Sequence, residues 1–110
     1  MQTTGGKVVL GIDPGIADTG VGVVRVGKNG RLECLYYASI KTSSKEALAD
    51  RLIQLHDQIE VVIKKYKPDV SAIEQLFFCK NVKTALVVGQ ARGVALYTLK
   101  KSRLSIAEFT

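Results

Sequence analysis

Lys7-Val8-Val9-Leu10-Gly11-Ile12-Asp13-Pro14-Gly15 decides how this chain is read. Its first six residues are almost all apolar, with two β-branched valines and an isoleucine. Such a run, halted by Pro-Gly, predicts a buried central strand over Lys7–Asp13 that ends in a turn. The strand closes on an acid. A carboxylate at the end of an apolar strand is costly to bury unless it is paired or bound to a cation.

The segments that follow supply partners for that strand. Gly20–Gly27 (GVGVVRVG) alternates small and apolar residues, and Arg31–Lys41 (RLECLYYASIK) has strand character. Asn29-Gly30 lies between them, and Asn-Gly between two strand-like runs is a hairpin signal. Three consecutive antiparallel strands are therefore expected. Ser43-Ser44-Lys45-Glu46 has the spacing of a capping box, in which Ser43 would bond the first-turn N–H groups and Glu46 would reach back. Behind it Leu48, Leu52, Leu55, Ile59, Val62 and Tyr66 recur at intervals of four and three, which is one apolar stripe on an amphipathic helix. Lys67-Pro68 ends it, because proline disfavours helical geometry in the residue before it. His56, the single histidine, sits beside the stripe, where a surface or packing role is expected.

Asp69–Gln75 (DVSAIEQ) reads as a short strand, with Val70, Ala72 and Glu74 on one face. Asn81 is placed to cap a second helix over Val82–Lys100, and Leu104–Phe109 reads as a last strand. Ala85, Gly89 and Gly93 are spaced by four in that second helix, forming one stripe of small residues. Interior glycine costs about 1 kcal/mol relative to alanine, so a close neighbour, either the sheet or a partner helix, is expected against the stripe. The order strand-strand-strand-helix-strand-helix-strand specifies an α/β architecture, a mixed sheet flanked by helices.

Composition narrows the class. The 110 residues are 46% hydrophobic and 24% charged, which is ordinary for a globular domain, and the length suits one domain. No apolar run approaches the roughly 20 residues that span a membrane, and the first six residues lack the apolar core of a secretion signal, so a cytoplasmic location is expected. Cys34 and Cys79 are not in a CxxC pair and have no histidine cluster nearby; they are expected as buried or half-buried thiols. The net charge is +6, and residues 71–110 carry six basic against two acidic residues. A basic second half suits a polyanionic partner.

Asp13 and Glu74 carry the chemistry. Each stands where packing alone would choose valine or isoleucine. On neighbouring strands their carboxylates converge at one edge, and hard oxygen ligands with room for water suit Mg²⁺, with Mn²⁺ able to substitute. The plain alternatives are an Asp13 that bonds its own turn and a Glu74 that faces solvent. Lys80, Lys83 and Arg92 are placed to meet phosphates, or to line a solvated helix face.

Gly11-Ile-Asp-Pro-Gly15, Thr19-Gly20, Ala72-Ile-Glu-Gln75, Phe77, Lys80-Asn81 and Gly89-Gln-Ala-Arg-Gly93, in this order and spacing, closely resemble the RuvC-type Holliday junction resolvases. The resemblance covers the chain after Gly6. It implies a ribonuclease-H-like fold over residues 1–110, truncated at the C-terminus relative to the family, whose members continue into a last helix bearing two more acids. It also implies metal-dependent cleavage of four-way DNA junctions by a homodimer working beside branch-migration proteins. On this resemblance Asp13 and Glu74 fall on the first two catalytic carboxylates, and Phe77 on an aromatic that works at the junction centre. The second helix, with Ala85, Gly89 and Gly93, falls at the dimer interface. Two carboxylates alone make a weak Mg²⁺ site, so the 110-residue piece by itself is expected to bind metal weakly and to cut slowly. Two other readings compete: an ATP-binding module of the actin, Hsp70 and sugar-kinase group, and a non-catalytic DNA-binding or dimerising scaffold.

Overall fold

The computed structural model describes residues 6–75 and 82–109. Phe77, Cys79, Lys80 and Asn81 lie outside them. The chain runs β1 (Lys7–Asp13), β2 (Asp18–Val26), β3 (Leu32–Lys41), α1 (Leu48–Tyr66), β4 (Val70–Glu74), α2 (Val82–Lys101) and β5 (Ser105–Phe109). The strands form one sheet in the order β3-β2-β1-β4-β5. β1 is central, antiparallel to β2 and parallel to β4, while β3 joins β2 antiparallel and β5 joins β4 parallel.

Both helices cover one face. Leu10 and Ile12 of β1, Val21 and Val23 of β2, Ile40 of β3 and Ile73 of β4 form a single core with Leu55, Ile59 and Val62 of α1 and Ala91, Ala95 and Leu99 of α2. Because side chains alternate along a strand, Val9, Gly11 and Asp13 of β1 and Val70, Ala72 and Glu74 of β4 share the opposite face, where burial is partial or absent. The face shared by Val70, Ala72 and Glu74 is therefore the one the helices leave open.

The hairpin forms as its Asn-Gly signal requires. Gly27 donates to Arg31 O at 2.7 Å, Gly30 donates to Gly27 O at 3.0 Å, and Gly30 takes φ +78. α1 ends where Pro68 dictates: Lys67 adopts φ 47 and its N–H bonds Ile63 O at 2.8 Å.

Two expectations are corrected. The Ser43–Glu46 box does not cap α1. Ser43 Oγ accepts from the Lys45 N–H at 3.1 Å and Ser43 O accepts from the Glu46 N–H at 3.1 Å, so the segment closes a turn of its own. The helix starts after Ala47, which has no side-chain cap. Arg51 of α1 instead reaches back to Thr42 Oγ1 at 3.1 Å, and Gln54 to the Glu46 carboxylate at 2.8 Å. Cys34, in turn, is exposed rather than buried. It lies on the edge strand β3 beside the register shift at Val23/Val24, and the first three residues of that strand are all exposed.

Candidate metal centre

The β1–β4 pairing ends at Ile12 opposite Ile73. Asp13 and Glu74 are the next residues on each strand and point to the open face. Their carboxyl groups hydrogen-bond each other. That bond, with the charge of Asp13 beside it, raises the Glu74 pKa above the usual glutamate value. Two carboxylates forced together favour holding a proton, or a cation, between them. Sequence position alone left each acid open to a plain role; the register brings both to one point.

The surroundings of Asp13 fit that role. Asp13 pairs with Gly20 of β2, and a Cβ at Gly20 would sit 3.4 Å from the Asp13 Cβ. A larger residue there would crowd the carboxylate. The turn after Asp13 is closed by Thr19, which is fully buried. Its Oγ1 accepts from the Gly15 N–H at 3.2 Å and donates to Gly15 O at 2.5 Å. A Cβ on Gly15 would meet Asp18 O at 2.3 Å, so only glycine fits this turn. The turn is held by Thr19 and leaves the Asp13 carboxylate to meet Glu74.

Glu74 is held from the helical side. Arg92 of α2 donates from Nε to Glu74 O at 3.4 Å, and its guanidinium pairs with Glu108 of β5. The Arg92 side chain is only 19% exposed, so this residue, expected among the phosphate contacts, is turned inward to the end of β4. Sequence reading gave no signal for that role, because Glu74, Arg92 and Glu108 come from three separate elements. Lys83 is exposed on the first turn of α2.

Gly89 and Gly93 of the α2 stripe are exposed, and a Cβ on either would meet nothing within 4 Å among the described residues, whereas Ala85 is half-buried. Val82, Leu86 and Tyr97 on the same helix are exposed at 76%, 64% and 57%. Of the two neighbours expected for the stripe, the sheet strands described do not lie against Gly89 or Gly93.

The donor set at Asp13 and Glu74 is all oxygen, which fits Mg²⁺ or Mn²⁺ rather than softer ions. Among the described residues, no third histidine, cysteine or acid joins them. No helix among those residues is long and apolar enough to cross a membrane.

Residues 9–110 match the family model described as crossover junction endodeoxyribonuclease RuvC. Curated relatives of that name from Ruminiclostridium cellulolyticum and Caldicellulosiruptor saccharolyticus are each 46% identical, over 94% and 93% of this chain. The chain spans 61% of the length of each. A solved structure, Thermus thermophilus RuvC in complex with a Holliday junction substrate, is similar with a TM-score of 0.86 at 30% identity, covering 93% of this chain and 65% of that one. The mixed five-stranded sheet with its two helices matches the ribonuclease-H-like fold of that structure. These likenesses lend no support to the ATP-binding or scaffold readings.

Proposed function

Since the chain belongs to the RuvC family of crossover junction endodeoxyribonucleases, we propose that it supplies part of the active site of a metal-dependent endonuclease that resolves four-way DNA junctions in recombination and repair. The observation that carries this reading is the meeting of the Asp13 and Glu74 carboxyls on the open face of the sheet. Asp13 and Glu74 hold Mg²⁺, or Mn²⁺ in its place. Bound there, such an ion supplies an activated water and charge stabilisation at a phosphodiester.

The rest of the chain positions these two acids. Thr19 fixes the turn behind Asp13, Gly20 leaves it room, and Arg92 fixes the backbone at Glu74. Lys80 and Lys83 take phosphates, which orient the DNA without reading its sequence. Phe77 stacks on a base at the junction centre, a contact worth about 1–3 kcal/mol.

The whole protein works as a homodimer, in the cytoplasm, beside branch-migration proteins. Support for the dimer comes from α2: its stripe of Ala85, Gly89 and Gly93, flanked by exposed Val82, Leu86 and Tyr97, would let a second α2 approach closely. The two carboxylates described here hold Mg²⁺ weakly without further ligands, so residues 1–110 alone cut slowly.

The test is cleavage of a labelled four-way junction, beside linear duplex of the same sequence, by the whole protein with and without Mg²⁺. Junction-selective, Mg²⁺-dependent cleavage that Asp13→Asn and Glu74→Gln each abolish is the expected result. Equal cleavage of linear duplex, or full activity in either variant, would overturn the reading.

A further inference from the structure

Thr98 is fully buried on α2, facing α1, and its hydroxyl hydrogen is committed. Oγ1 donates to Val94 O at 2.8 Å, one helical turn back. His56 Nδ1 lies 2.8 Å from the same oxygen. With the hydroxyl hydrogen spent, Oγ1 can only accept from the ring, so the imidazole carries a hydrogen on Nδ1. In the neutral ring, Nε2 is then the lone-pair nitrogen.

That lone pair faces a carboxylate. Glu60 Oε1 lies 3.5 Å from Nε2, and Asp57 brings a ligand oxygen within 4.8 Å of both. The ring nitrogen and the two carboxylates together form a mixed nitrogen and oxygen donor set gathered on one helix face. One ring nitrogen turned to the ion and the other N–H fixed by a buried acceptor is also the arrangement by which proteins orient a metal-binding histidine.

We propose that His56, Asp57 and Glu60 form a second cation site that takes a borderline transition-metal ion of the Zn²⁺ class. An imidazole ligand selects against Mg²⁺, which prefers oxygen alone. The site lies in the helical layer, on the opposite side of the sheet from Asp13 and Glu74, so it is separate from the proposed catalytic ion. All three ligands come from α1, and the Nδ1–H bond to Thr98 ties them to α2. The ion itself would bridge only α1 residues, and the bond to Thr98, present without it, is what fixes the His56 ring against α2.

The test uses the whole protein carrying Asp13→Asn and Glu74→Gln, which removes the other carboxylate pair. Calorimetric titration with ZnCl₂ is expected to show a single site that MgCl₂ does not fill, with a rise in thermal midpoint on adding Zn²⁺. Glu60→Gln, a change on the helix surface, and His56→Ala are each expected to abolish binding. Thr98→Val, which keeps the shape of the side chain but removes the acceptor, is expected to weaken it roughly 10–100-fold. In ring ¹⁵N spectra, Zn²⁺ is expected to shift His56 Nε2 while Nδ1 keeps its hydrogen. No Zn²⁺ uptake, or uptake unchanged by Glu60→Gln, would overturn the proposal; the second outcome holds even if the His56 variant fails to fold.

Discussion

The Glu74 carboxyl, when protonated, donates a hydrogen bond to Asp13 one residue past the last paired rung of β1 and β4. The pair is a point of electrostatic pressure in the fold. The nearness of Asp13 is what raises the Glu74 pKa.

That pressure has a pH signature. Glu74 holds its proton more tightly in the folded chain than at its ordinary value near 4.5. Its contribution to stability is fully present below about pH 4.5 and is lost as pH rises through the raised folded value. In metal-free buffer, Glu74→Gln should therefore melt above the wild-type chain at pH 8, with the gap closing as pH falls to 4. Mg²⁺ added at pH 8 should narrow the same gap by raising the wild-type midpoint. Thermal melts across this range decide the matter, and a gap that does not change with pH would refute the coupling.

Arg92→Lys keeps a positive charge near Glu108 but loses the guanidinium Nε–H that bonds Glu74 O. A lost hydrogen bond of this kind costs about 0.5–1.5 kcal/mol, which shifts the midpoint by several degrees in a domain of this size. If Arg92 positions Glu74, the apparent Mg²⁺ requirement for junction cleavage should rise as well. Glu108→Gln serves as the comparison, since it weakens the ion pair and leaves the bond to Glu74. Equal Mg²⁺ requirements in the two variants would reduce Arg92 to a general structural role.

The turn behind Asp13 gives a sharper stability test. Thr19→Val is nearly isosteric but leaves the Gly15 N–H and carbonyl without their partner, at a cost of about 1–3 kcal/mol. Gly15→Ala should do more damage, because its Cβ would collide with Asp18 O at 2.3 Å. Urea midpoints of the two variants should both fall, with alanine at position 15 the lower. A Gly15→Ala midpoint equal to wild type would mean that the turn relaxes without cost.

On α2 the outward glycines separate two effects. Gly89→Ala meets open space among the described residues, so it should raise the stability of the isolated chain by about 0.5–1 kcal/mol. Leucine at both Gly89 and Gly93 should leave the fold intact and block close approach of a second helix. If the proposed dimer forms through α2, sedimentation of the whole protein should then find the double variant monomeric. Unchanged association in the double variant would remove α2 from the interface.

The sequence by itself determined the elements and their order. β1 spans Lys7–Asp13 and α1 spans Leu48–Tyr66, because apolar periodicity, Pro68 and Asn29-Gly30 act over a few residues and need no distant partner. It also singled out Asp13 and Glu74, since an acid on an apolar strand is anomalous wherever the strand goes. Only the tertiary structure decided that the two acids touch: that depends on the parallel register of β1 with β4, strands separated in sequence by a hairpin and a helix. The same holds for Arg92 turning inward to Glu74 and Glu108, and for Gly89 and Gly93 facing out. A helix pattern shows that a face exists but not what lies against it. The Ser43–Glu46 box closes its own turn ahead of α1, and Arg51 and Gln54 of the helix bond back to Thr42 and Glu46. Local physics set what each segment became, and long-range pairing set which side chains met.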